Sequence, residues 1–329
     1  MPGPTSEQSG WPWTDADGGL AFDRATEWPR LSIITPSLNQ GEFIEETIRS
    51  VLLQGYPNLE YIVVDGGSTD RSVDIVRKYA GWLAHWVSEP DTGQAHAINK
   101  GLARATGELV AYINSDDVYL PGAFATIARA FMNDSQRRWV CGACLSRDDR
   151  TRTTSVLKPQ VPNDPSRWLF KPSGEPYTFP QPGVFLRHDL IQEIGLLRED
   201  LNYSFDYEYF QRILFAGVRP FELDATLAVF RLHDASKTAA HAPGFAADDV
   251  RVADLYIDRV SRSTRRRLAS QRRRFMAWRT IDACSTLAQS EGARAARRAL
   301  WREVFRDPGL LRYRPVWGAM RRWYGIGSK

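Results

Sequence analysis

The chain has 329 residues, of which 43% are hydrophobic and 25% charged, the balance of a folded globular protein, which excludes a disordered chain. No apolar run approaches the roughly 20 residues that cross a bilayer. Met1 to Trp13 lacks the basic start and apolar centre of a secretory signal, so a cytoplasmic location is expected. The net charge of +4 hides an asymmetry: from Arg251 to Lys329 there are 20 Lys/Arg against 6 Asp/Glu, a net of +14 that leaves about −10 for the preceding 250 residues. An acidic body and a basic tail meeting near residues 240–250 mark an expected domain edge.

Residues 1–29 are rich in Gly, Pro, Asp and Thr and carry Trp11, Trp13 and Trp28, which predicts an irregular arm laid against the body. Leu31 to Thr35 reads as a short apolar strand ended by Pro36. Gly41 to Leu53 has helical spacing, with Phe43, Ile44, Ile48, Val51 and Leu52 on one side. Leu59 to Val64 is a second strand, followed by Asp65-Gly-Gly-Ser-Thr-Asp70 and a helix through Tyr79. A third strand is expected over Trp82–Val87, a helix over Gln94–Thr106 stopped by Gly107, and a fourth strand over Glu108–Ile113. Strand, turn and helix repeated in this way predict βαβ units and a parallel sheet, an α/β fold. Ligands of such sheets bind outside the carboxyl ends of the strands. Thr35-Pro36-Ser37, Asp65 to Asp70 and Asn114-Ser-Asp-Asp117 all fall there.

The last cluster carries the most chemistry. A buried strand that delivers two adjacent carboxylates, Asp116 and Asp117, must raise their pKa or recruit a cation. Mg2+ and Mn2+ prefer carboxylate oxygens and often carry phosphates as their other ligands. The structural alternative has Asp116 capping a helix near Pro121 and Asp117 solvated. No Gly-x-x-x-x-Gly-Lys-Ser/Thr loop and no Gly-x-Gly-x-x-Gly after the first strand is present, which argues against P-loop NTPases and dinucleotide dehydrogenases. An acidic site holds a diphosphate only with a metal to invert the local field, so a metal-bridged nucleotide diphosphate is expected.

In the second half, Pro121–Met132 is a predicted helix and Trp139–Leu145 a predicted strand. Cys141 and Cys144 have ligand-like spacing but no His pair, and read as buried strand thiols rather than zinc ligands. Thr178 to Leu186 leads into a strand and then a helix to Ile194, and Ser204 to Arg212 opens another helix. Beyond residue 245, arginine runs at 265–267 and 272–274 accompany Leu268, Phe275, Met276 and Trp278, and later arginines alternate with Leu310, Leu311, Val316, Trp317, Met320, Trp323 and Tyr324. Such a basic amphipathic segment fits an anionic membrane surface, nucleic acid, or an apolar stripe packed on the body with a solvated basic face. No nucleic acid is expected as a partner.

Several of these stretches resemble the family 2 glycosyltransferases in order and spacing: Leu31-Ser-Ile-Ile-Thr-Pro-Ser-Leu-Asn39, Val63-Val-Asp-Gly-Gly-Ser-Thr-Asp70, Ser88-Glu-Pro-Asp-Thr-Gly-Gln94, Ala97-Ile-Asn-Lys-Gly101 and Asn114 to Asp117. The resemblance runs from about residue 30 to 237. It implies a GT-A type, Rossmann-like, mostly parallel sheet flanked by helices over residues 30–240. The nucleotide half would be 30–118 and the acceptor half 119–240, with 241–329 as a basic helical extension. It implies a nucleotide-sugar donor, a divalent cation and inversion at the anomeric carbon. Thr35 and Pro36 would lie against the nucleoside and Asp65 near base and ribose, with further donor contacts at Asp91, Asn99 and Lys100. Asp117 would be the more direct metal ligand, with Asp116 toward the ribose and His233 as a third ligand. Lys237 would partner the leaving group. Asp206, in the first turn of its helix, would be the general base, held by backbone donors that keep its pKa low, and Glu208 would shape the acceptor pocket. Two departures stand out: Gly66 replaces the second acid of many relatives, which weakens the inference of uridine, and Asn114 replaces an Asp.

An inverting, metal-dependent transferase is thus expected, using a nucleotide-sugar, foremost a UDP-sugar, and a glycan or lipid-linked acceptor, peripheral to the inner face of a membrane. The competing class is a non-catalytic nucleotide-sugar-binding protein on the same fold. A processive synthase fits poorly, since Gln211-Arg212-Ile213-Leu214 does not match Gln-x-x-Arg-Trp, and a nucleotidyltransferase would want positive charge in Ser37 to Gly41.

Overall fold

The computed structural model describes residues 1–3, 8–14, 22–23, 25–169, 179–240 and 242–324. Thr178 and most of the segment before it therefore lie outside the described residues. The chain divides into two compact units, Met1–Asn163 with Pro176–Ala240, and Asp164–Glu175 with His241–Lys329.

In the first unit the order is β1 (Leu31–Ser37), α1 (Ile44–Leu52), β2 (Leu59–Asp65), α2 (Ser72–Tyr79), β3 (His85–Ser88), α3 (Gln94–Leu102), β4 (Leu109–Tyr112) and β5 (Val118–Tyr119). Then come α4 (Ala123–Met132), β6 (Trp139–Asp148), β7 (Thr153–Leu157), β8 (Val184–Arg187), α5 (His188–Ile194), α6 (Phe205–Phe215), β9 (Phe221–Leu232) and α7 (Lys237–Ala240). Among the described residues nine strands form one sheet in the order β3-β2-β1-β4-β8-β6-β9-β5, with β7 on β6. The sheet is parallel across β3, β2, β1 and β4, and mixed beyond, where β8 runs antiparallel to both β4 and β6 while β9 is parallel to β6.

The βαβ expectation holds, with shifted bounds that have physical reasons. β1 continues through Pro36 instead of ending there. Even-numbered residues of β1 turn their backbone groups toward β4, as Ile113 N–H to Ile34 O shows, and the β4 ladder ends at Ile34. Pro36 therefore lacks an N–H only where no partner strand remains. α3 stops at Leu102 rather than Thr106. Thr106 N–H and Oγ1 bond the Glu60 carboxylate and Gly107 N–H bonds Ser32 Oγ, which draws the chain off the helix and onto the sheet. The core packs α1, α2 and α4 against one face of the sheet through Ile44, Ile48, Val51, Ile75, Val76, Phe124 and Phe131. α3 approaches the other face closely: a Cβ at Gly101 would sit 2.4 Å from Ile34 Cγ2, so only Gly fits. Cys141 and Cys144 are buried free thiols on β6. The described part of the arm engages the body, since Trp11 Nε1 donates to Tyr119 O at 2.8 Å and the Arg49 guanidinium lies 4.8 Å from the Trp13 ring.

The second unit contains α8 (Ala242–Tyr256), α9 (Arg262–Glu291), α10 (Ala293–Arg306) and α11 (Arg314–Tyr324). Its apolar residues pack on one another: Ala277, Ile281 and Cys284 of α9 meet Ala296, Leu300 and Val304 of α10 and Val316, Ala319 and Met320 of α11. The arginine runs lie on α9, yet that helix has no single apolar stripe; the amphipathic helices are α10 and α11. No helix among the described residues is long and apolar enough to cross a membrane.

Candidate active site

The acidic cluster is a tight turn at the end of β4, closed by Asp117 N–H to Asn114 O at 3.1 Å. Thr47 of α1 pins it from below, its hydroxyl donating to Ser115 O or Asp117 O at 2.9 and 2.7 Å. The two carboxylates then diverge. Asp117 is fully buried; its Oδ1 accepts Arg231 N–H at 2.9 Å and its Oδ2 accepts from Asn114 Nδ2 at 3.3 Å. Burial, and then the neighbouring Asp116, holds the Asp117 carboxyl well above the usual carboxylate range. Asp116 is only partly buried, and its Oδ2 lies 3.1 Å from His233 Nε2. His233 is itself buried and rests against Phe43, ring centroids 4.2 Å apart. The helix-cap alternative for Asp116 is thus not what is observed: Gly122 is the residue before α4, and no side chain caps it.

A polar chain runs on from this turn. Gln94 at the start of α3 donates to Asn114 Oδ1 at 2.7 Å, and Lys237 Nζ donates to Gln94 Oε1 at 3.3 Å and Asn202 O at 2.9 Å. The positive charge of Lys237 reaches Asp206, in the first turn of α6, whose Oδ1 accepts Tyr207 N–H at 2.7 Å. The expected low pKa of Asp206 is not found. Burial outweighs the backbone donors and Lys237, and pushes the carboxyl up to about 6.

The other expected site residues separate into those near the sheet crest and those used elsewhere. Asp65 is buried and its carboxylate accepts from Gly67 N–H, Ser68 N–H and the Ser68 and Ser88 hydroxyls, so it shapes its own loop. Thr35 Oγ1 pairs with Tyr61 OH inside the sheet, and Pro36 is buried beside it. Asp91 comes from the loop after β3, its Oδ1 accepting Gly93 N–H at 2.8 Å, and its Oδ2 lies 2.3 Å from where a Cβ on Gly66 would be. Asn99 and Lys100 are not brought to the cluster: Asn99 bonds Leu197 N–H, Leu197 O and Glu199, and Lys100 pairs with Glu89 at 2.9 Å and Pro90 O at 3.1 Å. Glu208 is buried and holds Arg212, one turn on, at 2.6 Å; Arg212 in turn donates to Ile194 O and Leu196 O.

Two contributors, Arg231 and Gln181, were missed by sequence reasoning, and Ser37 was read there only as part of a strand-end cluster. Arg231 is buried, with Nη2 on Glu46 at 2.7 Å and its backbone on Asp117. Its one sequence signal was spacing, since it lies on β9 two residues before His233, which falls just past the strand's end. Gln181 bridges Asn114 and Tyr112 O, and the Ser37 hydroxyl is buried without a partner among the described residues at the end of β1.

For a divalent cation, the donors present are the Asp116 carboxylate and the His233 imidazole; the oxygen suits Mn2+ or Mg2+, and the nitrogen favours Mn2+ over the harder Mg2+. Among the described residues no three His, Cys, Asp or Glu side chains gather into a ready cage. The pair fits a cation that takes its remaining ligands from phosphate.

Comparison with known proteins follows the same lines. The model of the family "Glycosyl transferase family 2" matches residues 32–193. An uncharacterised glycosyltransferase of Mycobacterium tuberculosis is 40% identical over 189 residues, 57% of this chain and 70% of that protein. The chain belongs to glycosyltransferase family 2. A Bacillus subtilis protein named as a glycosyltransferase is 46% identical over 96 residues, but the match spans only 28% of this chain and 38% of that protein. Among solved structures, S. aureus TarS 1-349 in complex with UDP-GlcNAc has a TM-score of 0.56 at 18% identity, covering 82% of this chain and 80% of that one. The Pyrobaculum calidifontis mannosyltransferase PcManGT, in complex with GDP-Man and Mn2+, has a TM-score of 0.52 at 22% identity, covering 92% and 84%. These two share the GT-A type fold of this glycosyltransferase.

Proposed function

We propose that this glycosyltransferase moves a sugar, with inversion, from a nucleotide-sugar, foremost a UDP-sugar, to a hydroxyl of a glycan or lipid-linked acceptor. The observation that carries the reading is the polar chain from the acidic turn through Asn114 and Gln94 to Lys237, whose charge acts on the Asp206 carboxyl. The donor's diphosphate would meet Asp116 and His233, and these two, rather than Asp117, would hold a divalent cation. That ion, when bound, neutralises charge on the departing diphosphate. Asp117 is a buried anchor whose carboxylate fixes the β9 backbone at Arg231. Lys237 faces both ends of the reaction: hydrogen-bonded toward the turn, and close enough in charge to Asp206 to favour its ionised form.

In the transfer, Asp206 takes the proton of the attacking hydroxyl. The acceptor oxygen bonds to the anomeric carbon, and the carbon–oxygen bond to phosphate breaks, its electron pair leaving with the nucleoside diphosphate. A carboxyl near 6 is ionised at neutral pH yet basic enough to accept a proton in the transition state. The buried, unpartnered Ser37 hydroxyl at the end of β1 and the Asp91 carboxylate over Gly66 are proposed donor contacts. PcManGT holds GDP-Man with Mn2+ and TarS holds UDP-GlcNAc on the same fold, which supports a nucleotide-sugar here. The basic C-terminal helices support action at the cytoplasmic face of a membrane. Thermal-shift measurements with UDP-, GDP-, dTDP- and CDP-sugars, with and without Mn2+, test the reading; no stabilisation by any of them would overturn it.

A further inference from the structure

The face that α10 turns to solvent differs in kind from the face it buries. Ala296, Leu300 and Val304 point into the core shared with α9 and α11. On the outer side, Arg294, Arg298, Arg302 and Arg306 follow one another at i, i+4 spacing and are all exposed. At 1.5 Å per residue this row is about 18 Å long. Beside it runs a second ridge, Arg297, Trp301 and Phe305, and the two ridges with Tyr324 of α11 line an open groove of about 730 Å³. Phe305 is 80% exposed. Glu303 is the one acid paired in this face, with Arg306 at 2.8 Å and Arg302 at 3.6 Å; among the described residues Arg294 and Arg298 have no acidic partner.

We infer that this face of α10 docks on an anionic phospholipid bilayer, its arginines on headgroup phosphates and Phe305 in the headgroup boundary. Guanidinium groups match phosphate oxygens in pairs, and a bulky apolar side chain among cations is the composition of an interfacial helix. Trp317, 49% exposed on α11, adds a second side chain suited to that boundary. Single-stranded nucleic acid is the rival of similar charge, but it needs open ring faces. Here Trp301 Nε1 donates to Tyr324 OH at 2.8 Å and the Arg297 guanidinium lies 4.9 Å from the Tyr324 ring, which leaves Phe305 as the most exposed ring of the groove rather than a row of open faces for successive bases. The inference deepens the membrane element of the proposed function, while vesicle binding itself needs no sugar transfer.

The test is flotation of the full chain with phosphatidylcholine vesicles with and without phosphatidylglycerol, at low and high salt. Binding is expected only with phosphatidylglycerol, weakening as salt rises. Arg294→Glu, Arg298→Glu and Arg302→Glu together should lower it by at least roughly 100-fold, from about a fivefold contribution per arginine. Circular dichroism checks the fold of that variant, and thermal shift with the donor and Mn2+ should be unchanged. If its helical content falls, Arg298→Gln and Phe305→Ala, both at exposed positions, replace it, and each should weaken flotation alone. Equal binding to neutral vesicles, an unaffected charge-reversal variant, or displacement of vesicles by a single-stranded oligonucleotide that uses the same arginines would overturn the inference.

Discussion

Asp116 Oδ2 lies 3.1 Å from His233 Nε2, so side chains 117 positions apart in sequence meet where β4 and β9 end. Asp117, adjacent in sequence, has both carboxylate oxygens occupied by Arg231 N–H and Asn114. The neighbouring acids are thus inequivalent. Asp116→Ala and His233→Ala should each weaken Mn2+-dependent donor binding by at least the roughly 10–100-fold that even outer partners of a metal command. Calorimetry with Mn2+ and with a chelator is the check. If Asp116→Ala binds donor as wild type does, the cation is held elsewhere.

Asp117 should behave as a stability residue. Its removal leaves the Arg231 N–H without an acceptor, and a buried guanidinium whose acidic partner among the described residues is Glu46. Asp117→Ala should cost on the order of 3 kcal/mol. Asp117→Asn keeps an oxygen for Arg231 N–H and removes the repulsion from Asp116, so it should cost distinctly less. Denaturant melts of the two variants decide; equal losses would show that the Arg231 contact contributes little.

Asp206 makes opposite demands on activity and stability. Its folded pKa of about 6 lies above the ordinary value of 3.8, so the native state binds the extra proton between these values. The cost of its charge is therefore absent below about pH 4 and fully present above pH 6. Asp206→Asn should abolish transfer, leave donor binding intact, and stabilise the protein at neutral pH. The gain should be on the order of 1–3 kcal/mol, taking 1.4 kcal/mol per pH unit and discounting for partial exposure. It should vanish on acidification. Wild-type turnover should rise through about pH 6. Thermal melts at two pH values and a pH–rate profile test both halves, and a flat profile from pH 5 to 8 would exclude Asp206 as the base.

Much of this was legible in the sequence because strand ends and acids are local signals. The βαβ rhythm from Leu31 to Ile113 and the polar clusters at strand ends come from short-range periodicity. What periodicity could not show was which atoms are already occupied. Asn99 and Lys100 sit in a donor-like motif yet brace the loops at Leu197 and Pro90. Asp206 lies in a helix's first turn, where backbone donors suggest a low pKa, but its burial, which no local pattern shows, reverses the sign. The division between Asp116 and Asp117 depends on Arg231, more than a hundred residues away, which no local pattern connects to them.

The last prediction concerns Gly66, where many related enzymes carry an acid. A Cβ there would lie 2.3 Å from Asp91 Oδ2, so the Asp91 carboxylate, delivered by the next strand's loop, occupies that side chain's space. Asp91 is thus proposed to supply the charge that position 66 lacks. Gly66→Asp should weaken donor binding twice over, by clash and by repulsion between adjacent carboxylates. Asp91→Gly should also weaken it, by removing the charge. The double variant should recover much of the affinity, because one carboxylate again occupies one site. A coupling on the order of 1–3 kcal/mol in the double-mutant cycle is expected. Losses that simply add would mean that the two positions do not share a site, and that Asp91 only shapes the turn at Gly93.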